Sequence, residues 1–178
     1  MLRAADAQTH LARLPTFHDY PVKEVFRGAP HPPILVTPEQ RRYRTLIREG
    51  VEKGWGVLTD GAWGSEQNKP GPNFAGHYIV ITWGCGAHCM RMAVADAESG
   101  AIYDPPVSVG RGFALPLLAF PVSGARNPEL AYRRDSQLII IKATPHFDKP
   151  DAQPYSFYFL LQNNLWKLLR RVPITNEQ

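Results

Sequence analysis

Residues 73–90 read NFAGHYIVITWGCGAHCM, and the architecture turns on how this run is parsed. Between His77 and Trp83 the period is two. His77, Ile79, Ile81 and Trp83 fall on one face, and Tyr78, Val80 and Thr82 on the other. Past the Gly84-Cys85-Gly86 turn, MRMAVADA alternates again, with Met90, Met92 and Val94 set against Arg91, Ala93 and Ala95. Two alternating runs joined by a short glycine-bearing turn predict an antiparallel hairpin.

Outward from that hairpin, DAESGAIYD predicts a tight turn at Ser99–Gly100 and a short strand through Ile102 and Tyr103. Proline and glycine break the chain from Pro105 to Pro128, where FALPLLAF reads as a strand or an apolar strap. SQLIIIKAT, YSFYFLLQ and LWKLLRRV are β-rich runs, the last two joined at Asn163–Asn164, a dipeptide that tolerates left-handed backbone angles. On the other side, TPEQRRYRTLIREGVEKG predicts the main helix. Thr37 is its N-cap, Pro38 its first residue, Gln40 closes a capping box and Gly54 stops it. Tyr43, Leu46, Ile47 and Val51 make its apolar face. Arg41, Arg42, Arg44 and Arg48 make a solvated basic one. GWGVLTDGAWGSEQNKPGPNF reads as a short strand near Val57 and Leu58 followed by a long loop, with Trp55 and Trp63 either lining a groove or, the favoured reading, at the core edge.

Pro15, Pro21, Pro30, Pro32 and Pro33 deny the first part of the chain a continuous helix or a central strand. Its apolar Phe17, Tyr20, Val22, Val25 and Phe26 predict a strap lying on a core. The expected organisation is therefore a proline-rich N-terminal extension over 1–36, strapped onto a single α+β domain over 37–178. That domain is expected to hold one antiparallel β-meander sheet of about five to seven strands, blade-like or partly barrelled, with one main helix packed on it.

With 178 residues, 44% of them hydrophobic, the chain can bury a real core without relying on cross-links. A net charge of +4 with scattered basic residues gives no footprint for nucleic acid. No apolar run approaches the roughly 18–20 residues of a membrane-spanning helix. MLRAADAQTH lacks the apolar core of a signal peptide, yet Ala5-Asp6-Ala7 has the small-x-small form of a signal-peptidase site.

The chain has two cysteines, and three chemistries compete for them. Cys85 with His77 or His88 as base would make a thiolate hydrolase, the glycine turn holding the oxyanion. Such thiols commonly sit at helix starts, however, whereas Cys85 falls in a strand turn. Cys85, His88, Cys89 and His77 are metal-type donors, but a second matching pair is missing, so no metal and no cofactor is expected. The favoured reading is a disulfide between Cys85 and Cys89, closing a small ring at the hairpin tip. It would contribute on the order of 2 kcal/mol in the chain-entropy view and would require an oxidising compartment.

PNFAGHYIVITWGCGAHC, AVADAESGAIY and YRRDSQLIIIKA resemble a family of small bacterial exported or lipoprotein-like proteins without an assigned function. The shared features are Asn73–Tyr78, Trp83–Cys89, Asp96–Gly100 and Arg133–Ser136. Members carry a signal peptide or lipoprotein leader, so the resemblance implies a periplasmic or secreted protein, with tethering to a membrane through a leader that this chain lacks. Ser99–Tyr103, SGAIY, is also similar to a Ser-Gly-x-x-Tyr pattern of periplasmic lysozyme inhibitors. The function expected is non-enzymatic binding of a protein or small molecule, or an envelope-associated role. The expected binding residues are Asn73, Tyr78, Gly84, Gly86 and His88. The alternatives are the Cys85–His77 hydrolase and a lysozyme inhibitor.

Overall fold

The computed structural model describes residues 13–53, 70–86, 89–106, 114–115, 130–143 and 153–175; for 84–86, 89–90 and 114–115 it describes the backbone alone. The readings of Val57–Leu58, Trp55, Trp63 and most of FALPLLAF lie outside the described residues.

The helix begins as its capping box requires. Gln40 N–H donates to Thr37 Oγ1 at 3.1 Å, and Gln40 Oε1 accepts from Thr37 N–H at 3.1 Å and Val36 N–H at 2.7 Å. It does not run on unbroken. α1 (Pro38–Arg42) ends at Tyr43, whose φ of −101° and ψ of 19° leave the helical region, and α2 (Arg44–Lys53) follows. Tertiary contacts account for the break. The Tyr43 ring lies 5.3 Å from the Trp83 ring, and the Arg91 guanidinium sits 4.8 Å over its face. Ile47 and Val51 are buried as the period predicts, whereas Leu46, assigned to the same face, is 37% exposed.

The expected single sheet is in fact two antiparallel sheets. In the first, β1 (Tyr78–Gly86) and β2 (Cys89–Asp96) form the hairpin, in register from Tyr78↔Asp96 to Gly86↔Cys89. β3 (Ile102–Tyr103) and β4 (Ala114–Leu115) both pair with the outer edge of β2. The second sheet runs β5 (Leu130–Tyr132), β6 (Leu138–Ala143), β7 (Tyr155–Gln162) and β8 (Leu165–Pro173), in that order. β7 and β8 meet at Asn163 and Asn164, with φ of 51° and 63°, the left-handed pair that matches strand twist in a two-residue turn.

Burial shows how the sheets are stacked. Tyr78, Val80, Met92 and Val94 from the first sheet share one cluster with Leu130, Tyr132, Ile139, Ile141, Phe157, Phe159 and Leu161 from the second. Phe74, fully buried, joins them, with its ring stacked on Trp166 and edge-on to Tyr132. Burying one such phenylalanine is worth about 2–3 kcal/mol. The opposite face of the first sheet, Ile79, Ile81, Trp83, Ala93 and Ala95, packs on Ile47 and Val51 of α2. The result is helix on sheet on sheet. No helix among the described residues is long and apolar enough to cross a membrane.

The proline-rich segment runs around this stack. Phe17 and Tyr20 pack on Leu138, Tyr158 and Leu160, the outer face of the second sheet. Val22 enters the inter-sheet cluster, while Phe26 and Leu35 lie on the helix side of the first sheet. Its backbone is tied down throughout. Val22 N–H donates to Asp135 O, Phe26 N–H to Gly76 O, His31 N–H to Ala97 O and Ile34 N–H to Gly100 O, at 2.8–3.0 Å.

Candidate functional site

The distinctive motifs converge where the strap crosses the start of the hairpin. Gly76 and Gly100 have φ of +84° and +76°, conformations that L side chains rarely adopt. A Cβ on Gly76 would stand 2.5 Å from Glu24 O, and one on Gly100 would stand 2.4 Å from Pro32 O. Both turns therefore need glycine twice over, for their φ and for the strap pressed against them. Ser136, fully buried, donates its hydroxyl to Phe17 O or Tyr20 O (2.9 and 3.1 Å), holding the strap's first turn.

Beneath the strap lies a cleft of about 350 Å³. Glu24, Val25, Phe26 and Arg27 of the strap form one wall; His77 and Glu98 form the other. Asp96 stands behind them, 5% exposed, and one ligating atom from each of His77, Asp96 and Glu98 lies within 4.8 Å of the others. The turn orients Asp96. Its Oδ1 accepts from Glu98 N–H at 2.9 Å and its Oδ2 from Ser99 Oγ at 2.6 Å. Ala97 N–H donates to His77 O at 2.8 Å, so the backbone of the turn is tied to that of His77. Burial first, and then the Asp96 charge, push the Tyr78 and Tyr103 phenols above their ordinary range, so both stay protonated.

The structure disperses the residues expected to bind. Asn73 is buried, and its amide is fully committed to β1: Nδ2–H donates to Val80 O at 3.1 Å and Oδ1 accepts from Val80 N–H at 2.7 Å. Tyr78 is 2% exposed and donates its hydroxyl to Asn164 Oδ1, linking the two sheets. Gly84 and Gly86 pair with Met90 and Cys89 around a bulge at the far end of β1. His88 lies outside the described residues, as do the sulfurs of Cys85 and Cys89. Along the backbone Cys89 pairs with Gly86, and Cys85 is the unpaired residue of the irregularity just before that pair.

Cys85 and His77 are not brought together. β1 is continuous from Tyr78 to Gly86, and at about 3.3 Å per residue it sets them roughly 25 Å apart. The backbone thus sets this histidine and this cysteine near opposite ends of one strand. The Ser99–Tyr103 pattern is also occupied structurally. The Ser99 hydroxyl holds Asp96, Gly100 lies under the strap, and the Tyr103 ring packs edge-on to Tyr78.

Reading the sequence for chemistry missed Asp96 and Glu98, since both look like ordinary turn residues. The available signal was an aspartate directly ending an apolar strand, four residues before a glycine. Compared with known proteins, the chain matches no family model, no curated protein and no solved structure.

Proposed function

We propose that this protein is a non-enzymatic binding domain acting outside the cytoplasm, periplasmic or secreted, and that its ligand site is the strap cleft. One observation carries the reading. A volume of about 350 Å³, lined by an imidazole, two carboxylates and a guanidinium, opens between the strap and the hairpin's first residues. That volume falls in the range of small-molecule sites, and its walls are polar enough to orient a small polar ligand. The separation of Cys85 from His77 favours binding over thiol catalysis.

The extracytoplasmic setting rests on the family resemblance and on two cysteines close to the same hairpin tip, Cys89 paired with Gly86 and Cys85 adjacent to Gly86 in the chain. A disulfide there would hold that tip in one shape. Tethering through a leader, as in the similar exported proteins, is compatible with the same role.

The test is a thermal-shift screen of small polar metabolites on the full chain, repeated on Glu98→Ala and Arg27→Ala. Compounds that raise the melting temperature of the wild type and lose that effect in both variants support the cleft. Stabilisation unchanged in both variants sinks it. Intact mass of protein isolated from its own host reads the sulfurs: a deficit of two hydrogens is expected.

A further inference from the structure

The cleft has a chemical peculiarity at its base. Asp96 is 5% exposed, with Glu98 beside it. Among the described residues neither carboxylate forms an ion pair with a lysine or arginine; the four pairs are Arg13–Asp19, Lys53–Glu49, Arg91–Glu39 and Arg133–Asp135. Arg27 lines the cleft but reaches no member of the trio within ion-pair distance. A buried carboxylate normally has a cation near it, because losing its hydration is costly. Here the Ser99 hydroxyl and the Glu98 amide supply hydrogen bonds and no compensating charge.

We propose that His77, Asp96 and Glu98 form a binding site for a divalent cation of the Mn²⁺ and Zn²⁺ class. This rests on the cleft being the ligand site and names what it holds. A nitrogen and two carboxylate oxygens within 4.8 Å of one another nearly match a coordination shell. Donors about 2.1 Å from a metal stand roughly 3–4 Å from each other, so a small rotation of the exposed Glu98 closes the gap. One imidazole with two carboxylates suits a hard-to-borderline divalent ion, whereas a soft ion such as Cu(I) prefers thiolate or thioether ligands.

The surroundings fit as well. Each Asp96 oxygen accepts one hydrogen bond from the protein, and carboxylate oxygens have a second lone pair for a metal. Those bonds orient the ligand in the way outer-shell partners do at metal centres. Glu24, on the strap wall of the same cleft, offers a further carboxylate. A bound cation would then neutralise the charge behind it while leaving coordination positions open to the cleft.

The experiment uses the full chain, stripped with chelator, and manganese chloride alone as the probe. Mn²⁺ binds thiolates weakly, and it broadens the NMR signals of nearby amides. Broadening is expected to centre on the amides of residues 77 and 96–98 and to reach 24–27. His77→Ala and Glu98→Gln, both on side chains outside the core, should each weaken the apparent Kd at least about tenfold, the lower end of what losing even an outer-shell partner costs. Absence of broadening, broadening centred elsewhere, or affinity unchanged in both variants overturns the proposal. The two readings fail separately. A metabolite that depends on Glu98 and Arg27 and binds chelated protein, without any Mn²⁺ site, keeps the cleft and removes the cation.

Discussion

Asn73 shows how much one side chain can do at an open sheet edge. Among the described residues β1 pairs with the strand β2 on one side, and on the other side the Asn73 amide imitates a neighbouring strand, bonding both the N–H and the C=O of Val80. Val80 is fully buried, so no water can replace those bonds without opening the core. Asn73→Ala leaves two buried backbone groups unsatisfied at about 1–3 kcal/mol each, and the expected loss is about 2–4 kcal/mol of stability. Urea unfolding measures it. A shift below about 0.5 kcal/mol would show that water takes the place of the amide.

Among the elements, the strap best explains the motifs. Gly76, Gly100, Asp135 and Ser136 lie in the motifs singled out in the sequence, and each contacts the proline-rich segment. Their common task is to seat that segment, and the cleft is a consequence of the seating. Gly100→Ala puts a Cβ where Pro32 O stands and strains a φ of +76°. The expected cost is about 2–4 kcal/mol, and the local signature is more specific than the total. The amides of His31 and Ile34, which donate to Ala97 O and Gly100 O, should lose hydrogen-exchange protection before the amides of β6 and β7 do. Equal loss throughout would mean that the strap and the sheets open as one unit.

At the scale of the molecule, the described residues form three layers with two interfaces, and buried phenols sit in the inter-sheet one. Burial pushes the Tyr132 hydroxyl well above the ordinary phenol value, and burial with the Asp96 charge does the same for Tyr78. A phenol whose folded pKa is raised keeps its proton after the unfolded chain has lost it. Stability is therefore full below about pH 10 and falls as pH climbs from there toward the folded values. Each such tyrosine steepens the alkaline slope by up to about 1.4 kcal/mol per pH unit. Tyr132→Phe should flatten the loss between pH 10 and 11 in denaturation measured by circular dichroism. An unchanged slope would place the alkaline transition on other groups.

The sequence by itself determined the local events: the capping box at Thr37, the hairpin alternation from Tyr78 to Asp96, the Ser99–Gly100 turn and the left-handed Asn163–Asn164 pair. All of these depend on residues within a few positions of each other, where side-chain period and backbone sterics suffice. Tertiary structure alone decided that the strands divide between two sheets, because alternation names the faces of a strand and leaves its far neighbour open. The buried-on-both-faces character of β1 was the one local sign of a further layer. Tertiary structure also decided where chemistry gathers. His77 and Glu98 are separated by a whole hairpin in the chain and become neighbours only because Tyr78 pairs with Asp96, while Cys85, far closer in sequence to the same histidine, is carried away along an extended strand.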